Sequence, residues 1–307
     1  MEQIKLGIIG VGNMGTTHVQ NILAGKCPEI ALAAVADRRE ARRQWAQGTV
    51  PETVQIFEEG GDLIKSGLCE AVLIAVPHYQ HPVLAKEAFA QGLHVMCEKP
   101  AGVYTKAVRE MNEAAKESGK VFGMMFNQRT NCVYRKMREM VQNGQLGELK
   151  RVNWIITDWY RTQIYYDSGD WRATWEGEGG GVLLNQCPHQ LDLLQWICGL
   201  PKTVQAFCQE GKWHDIEVED DVTAYLQFEN GATGVFITTT GDAPAPTGSR
   251  SPAPWASWSA KTIPSPSGSS PRTSGSSAAP QQRALPSPPV RSSLWRPTGK
   301  TPSMWGC

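Results

Sequence analysis

The sequence predicts an α/β fold in which a doubly wound parallel sheet is followed by an α+β open-sheet region. Three observations carry this. Short apolar runs alternate with amphipathic stretches up to about residue 126, a glycine-rich turn joins the first run to the first helix, and the pattern changes near residue 149.

The runs 4–9 (IKLGII), 30–36 (IALAAVA), 71–76 (AVLIAV), 93–97 (LHVMC) and 121–126 (VFGMMF) read as short buried strands. Stretches 79–91 and 104–118 repeat apolar residues three or four apart and read as helices. A further helix is expected over 130–143, closed by the C-cap pair Asn143-Gly144. Beyond it, 149–158, 203–210, 221–229 and 232–240 alternate or are β-branched, and Glu229-Asn230-Gly231 signals a hairpin turn. With one helix over 181–198, this region reads as an antiparallel sheet carrying a helix.

Gly10-Val11-Gly12-Asn13-Met14-Gly15 follows a strand and opens a helix. Glycines in that context let the chain turn sharply and bring backbone N–H groups against a pyrophosphate, which makes residues 1–126 a Rossmann domain for a nicotinamide dinucleotide. Asp37 ends the second strand 22 residues after Gly15, placed to accept the ribose hydroxyls. Its charge would repel a 2′-phosphate and favours NAD, while Arg38 and Arg39 keep NADP open. Glu98-Lys99-Pro100 follows the fifth strand at the carboxyl edge, where such sheets place ligands. A lysine there can hold a substrate hydroxyl and relay its proton; most lysines after strands are simply solvated.

These motifs, with Pro77 to His81, Gly92-Leu93-His94-Val95, and Gly179-Gly180-Gly181 through His189-Gln190-Leu191-Asp192, resemble the Gfo/Idh/MocA oxidoreductases, named for glucose-fructose oxidoreductase and inositol dehydrogenase. The resemblance runs from Ile4 to about Pro244. It implies NAD(P)-dependent hydride transfer with a sugar, inositol or related polyol, and an open sheet (residues 127–244) whose face packs on a partner subunit. It also implies catalytic roles for Lys99 and His189, with Asp192 on the same helix face orienting the imidazole. In inositol-dehydrogenase-like members an aspartate stands four residues before the histidine; here Asn185 does, and an amide cannot take a proton. By the same resemblance Pro77, His78, His81 and Glu98 approach the cofactor, and Trp171, Arg172 and Asn185 lie on the substrate side. Read alone, His78 and His81 fit surface residues at a helix start equally well, and a loop Trp-Arg pair is often just packing. Asn127, Gln128 and Arg129 follow the sixth strand, on a loop expected on the substrate side. An NAD-dependent glycosidase, also found in this family, is the second reading, and an impaired cofactor-binding protein the third.

Other classes find no support. The formal net charge is 0, there is no membrane-length apolar run and no secretory leader, and the eight cysteines form no CxxC pair. The expectation is a cytoplasmic protein without metal, nucleic-acid or membrane partner. That neutrality averages two unlike pieces: all 30 acidic residues precede residue 243, while the last 65 positions hold 13 of the 20 prolines. Read one nucleotide earlier, permitted codons convert 245–259 into a strand–turn–strand sequence resembling the family's continuation. Residues 245–307 are therefore expected to be an out-of-frame, Pro/Ser-rich disordered tail. The open sheet would then lack its later strands and expose an edge, which works against normal dimerisation.

Overall fold

The computed structural model describes residues 2–242 and the backbone of Ser257–Trp258. Its first sheet has six strands: β1 (Ile4–Ile9), β2 (Ile30–Ala36), β3 (Gln55–Phe57), β4 (Ala71–Ile74), β5 (His94–Cys97) and β6 (Phe122–Met124). They lie in the order β3-β2-β1-β4-β5-β6, all parallel. Parallel neighbours need crossovers, and α1 (Asn13–Leu23), α2 (Glu40–Gln47), α3 (Gly60–Lys65), α4 (His81–Ala90) and α5 (Thr105–Ser118) supply them. Helices on both faces leave the central strands no exposed side, which is why 71–74 and 30–36 are apolar throughout. One core layer gathers Ile9, Ile74, Val95 and Met111, the other Leu6, Ile8, Val19 and Val35. The order reverses between β1 and β4, so the carboxyl ends of these two strands open a crevice beside Gly10.

The chain then enters α6 (Cys132–Gln142), whose N-cap Asn131 accepts a hydrogen bond from Val133 N. A second sheet follows, built from β7 (Arg151–Ile156), β8 (Thr203–Glu210), β9 (Glu219–Gln227) and β10 (Thr233–Thr239). Between β7 and β8 come the short α7 (Gln163–Asp167) and α8 (Pro188–Cys198). Trp154, Phe236, Leu226 and Val222 bury one face against Leu193 and Ile197 of α8.

Two expectations need correction. The second sheet is mixed rather than antiparallel, because β10 pairs parallel with β7. The chain leaves β7 through α8, and the β8–β9–β10 meander then lays its third strand beside β7 in the same sense. The helix expected over 181–198 begins only at Pro188. The preceding residues are turns because the Glu219 carboxylate takes the N–H groups of Gly181 (2.9 Å) and Leu183 (3.0 Å), which holds them out of a helical ladder.

Within the expected tail, the backbone of β11 (Ser257–Trp258) adds an antiparallel edge strand to β7. The rest of 245–307, and with it the out-of-frame reading, lies outside the described residues.

Candidate active site

The glycine-rich turn is shaped by collisions that side chains would cause. Gly10 adopts φ +91°, where a Cβ would press on the carbonyl of Ala75, and a Cβ at Gly15 would overlap the Gly10 carbonyl. Gly12 is the N-cap of α1 without any side-chain cap, and the first turn carries no acidic residue. The first N–H groups of α1, at exposed Asn13 and Met14, therefore face outward without a side-chain acceptor, as an anion site requires. Asp37 closes the cradle: Oδ2 accepts from Val11 N (2.9 Å) and Oδ1 from Arg39 N (3.0 Å) and Nε (3.3 Å). An uncapped helix start, obligatory glycines and a carboxylate tied to the turn together fit a dinucleotide. Arg38, expected beside the ribose, instead donates to Glu59 at 2.9 Å. Arg39 is the arginine that stays on Asp37, with Nη2 near Gly12.

Across the crevice, Pro77 starts a 3₁₀ turn that buries His78. His78 Nδ1 donates to the Glu178 carbonyl at 3.0 Å, and burial lowers the imidazole pKa to about 4. His81, expected near the nicotinamide, is 1% exposed, and its ring nitrogens face Pro100 O (2.7 Å) and Val76 O (2.8 Å). It ties two loops together and presents nothing to a ligand.

Glu98 is buried; Oε1 meets Nε2 of His18 on α1 at 2.8 Å, and Oε2 accepts from Lys99 N at 3.3 Å. Lys99 then reaches from the end of β5 to the turn before α8, donating from Nζ to the Asn185 carbonyl at 2.8 Å. Burial pulls its pKa below the usual lysine range, opposed by the charges of Glu98 and Glu178. His189, on the first turn of α8, has its pKa lowered by burial and by the Lys99 charge. Its Nδ1 is buried without a hydrogen-bond partner, and its ring stands edge-on to Phe126. Asp192 does not orient that imidazole. It forms a bidentate pair with Arg129, Nε to Oδ2 at 2.8 Å and Nη2 to Oδ1 at 2.5 Å. The guanidinium fork matches a carboxylate better than an imidazole does, so the expected Asp192–His189 contact loses to it. Arg129, expected toward substrate, is thereby a clamp between the end of β6 and α8, stacked near Trp196.

Asn127, beyond β6, keeps a buried Oδ1 without a partner. Trp171 meets His78 edge-on at 5.6 Å, and Arg172 lies over both Trp171 and Tyr165 while donating to the Tyr165 hydroxyl at 3.0 Å. Asn185 donates from Nδ2 to buried Glu178. Sequence reasoning missed His18, Tyr165, Glu178 and Glu219, which lie in no signature motif. A glutamate just ahead of three glycines was the one available signal. Among the described residues, no three His, Cys, Asp or Glu side chains gather as metal ligands.

A six-stranded parallel sheet with this crevice, followed by a mixed open sheet, defines a two-part dinucleotide-binding fold. The chain belongs to the GFO/IDH/MocA family: its NAD-binding Rossmann-fold oxidoreductase model matches residues 4–126, and its C-terminal-domain model matches 134–250. The chain is 29% identical over 203 residues to the rhizopine catabolism protein MocA of Rhizobium meliloti, covering 66% of this chain and 60% of that one. It is 31% identical over 200 residues to the inositol 2-dehydrogenase of Rubrobacter xylanophilus, covering 64% and 52%. The WlbA dehydrogenase of Chromobacterium violaceum, solved with NADH and UDP-GlcNAcA, superposes with TM-score 0.74 at 28% identity, covering 80% and 69%. The chain thus spans only about half to two thirds of the length of these curated relatives.

Proposed function

We propose that this chain is an NAD-dependent dehydrogenase acting on a CH–OH group of a sugar, inositol or related polyol, with NADP as the alternative cofactor. The observation that carries the reading is Lys99, which links the carboxyl edge of β5 to the turn before α8, next to His189. The bound cofactor would accept hydride from the carbinol carbon. Lys99, destabilised as a cation by burial, would take the hydroxyl proton as the carbonyl forms. His189, its pKa lowered by burial and by Lys99, would hold the same hydroxyl. Trp171 offers an apolar face for the remaining ring.

The activity named for the inositol 2-dehydrogenase relative supports this class. The same reading divides the chain into a cofactor domain (1–126) and a substrate and oligomerisation domain (127–244). The outer face of the second sheet supports a second copy as partner. In register across β7, β10, β9 and β8, Ile155, Ile237, Thr223 and Phe207 form one row, with Val235 and Tyr225 in the next. Phe207 is 68% exposed there. Among the described residues no helix is long and apolar enough to cross a membrane. Cys69, Cys97, Cys132, Cys187, Cys198 and Cys208 form no disulfides, which supports a reducing, cytoplasmic setting.

The test is NADH and NADPH formation by the full chain over a panel of inositols, hexoses and glycosides. Turnover of a free polyol with net NADH is expected. Glycoside cleavage without net NADH, or cofactor binding with no turnover on any panel member, overturns the reading.

A further inference from the structure

One buried carboxylate of the candidate site, Glu178, belongs to none of the motifs. Glu178 is 1% exposed, yet three separate parts of the site meet on it. Oε2 accepts from Ala173 N at 2.7 Å, Oε1 accepts from the Asn185 side chain, and the Glu178 carbonyl accepts from His78 Nδ1. Ala173 has φ +55°, a left-handed conformation that a residue with a Cβ adopts only when its surroundings hold it there. The carboxylate supplies that hold, and the turn it fixes carries Trp171 and Arg172. Its other oxygen fixes Asn185, whose carbonyl is the anchor of Lys99 Nζ. An ionised carboxylate can only accept, so it turns the Asn185 amide nitrogen toward itself and leaves Oδ1 to face elsewhere.

We propose that Glu178 is the positioning residue of the site, a buried anion that locks the Trp171–Arg172 turn and the Asn185–Lys99 anchor into one arrangement. It acts on the lysine through Asn185, whose side chain it holds and whose carbonyl holds Lys99 Nζ. The inference deepens the dehydrogenase reading and rests on it for the meaning of the site. The contacts themselves do not depend on turnover.

Lys99 is faced by Glu98, Glu178, Arg172, Cys187, His78 and His189, so its reactivity reports the balance of these groups. The experiment is competitive acetylation of Lys99 in the full chain as a function of pH, mapped by mass spectrometry, for the wild type and Glu178→Gln. The substitution keeps the shape, removes the charge and replaces one of the two acceptor oxygens by a donor amide. At fixed pH below the midpoint, Lys99 should label on the order of tenfold faster, because one compensating charge is gone. A Lys99 profile unchanged in folded Glu178→Gln overturns the proposal and makes Glu178 a buttress only. Should that variant fail to fold, Glu178→Asp carries the test. It keeps the charge but withdraws it from Asn185, so faster Lys99 labelling supports the proposal and a wild-type profile overturns it. With an active polyol in hand, Glu178→Gln should also lower kcat and shift its pH profile. A chain that turns over no polyol but shows the labelling change refutes the dehydrogenase reading alone.

Discussion

Lys99 Nζ stands 2.8 Å from the main-chain oxygen of Asn185, a bond that spans 86 residues and ties the end of β5 to the turn before α8. A neutral amine can still donate there while keeping its lone pair for a substrate proton. Lys99→Met is therefore expected to reduce kcat of the proposed dehydrogenase by at least about 100-fold. NADH affinity should change little. Steady-state rates beside NADH fluorescence titration check this, and a loss of cofactor binding equal to the loss of rate would contradict it.

Asp37 holds the glycine turn through Val11 N and keeps Arg39 against it. Asp37→Ala should weaken NADH binding by about ten- to a hundredfold while leaving NADPH binding less affected, because the repulsion on a 2′-phosphate is removed and Arg39 is released. Titration with both reduced cofactors reads the ratio. Equal weakening of the two would remove Asp37 from cofactor choice.

The Arg129–Asp192 clamp is buried on the aspartate side and partly open on the arginine side. Asp192→Ala should destabilise the fold by roughly 2 kcal/mol, less than a fully buried pair, since water can still reach the guanidinium. The double variant with Arg129→Met should recover part of that loss. Urea unfolding of the four proteins measures the coupling, and additive losses would show that the two side chains act separately.

Stability should fall on acidification. His78 has its pKa lowered from 6.5 to about 4 by burial, so the unfolded chain binds a proton that the folded chain refuses between these values. Stability from this group is complete above about pH 6.5 and is lost as pH falls toward 4, on the order of 3 kcal/mol in all. Burial also lowers the pKa of His81 and His189, which adds in the same direction. Thermal melts across this range on wild type and His78→Asn check it. An identical acid loss in the variant would clear His78 of the effect.

Much of this architecture is legible in the chain because it depends on local periodicity. Apolar runs at 30–36 and 71–74 announce buried parallel strands whatever surrounds them, and Gly10 and Gly15 announce the turn because no side chain fits there. Lys99, His189 and Asp37 stand out by spacing and by resemblance. What the chain could not disclose is which side chain wins each partner. Asp192 shares a helix face with His189 yet bonds Arg129, 63 residues away, because a guanidinium fork satisfies both carboxylate oxygens. His81 looks like a cofactor ligand until its ring proves wedged between two carbonyls. The parallel placement of β10 beside β7 follows from the path of the chain over α8, and no strand's own residues encode it. Glu178 is ordinary in sequence and becomes central only when folding removes its water and leaves Ala173 and Asn185 to satisfy it. Local sterics and burial periodicity act between near neighbours and are written in the sequence. Competition among polar groups for a few buried partners is a long-range outcome, and the tertiary structure alone decides it.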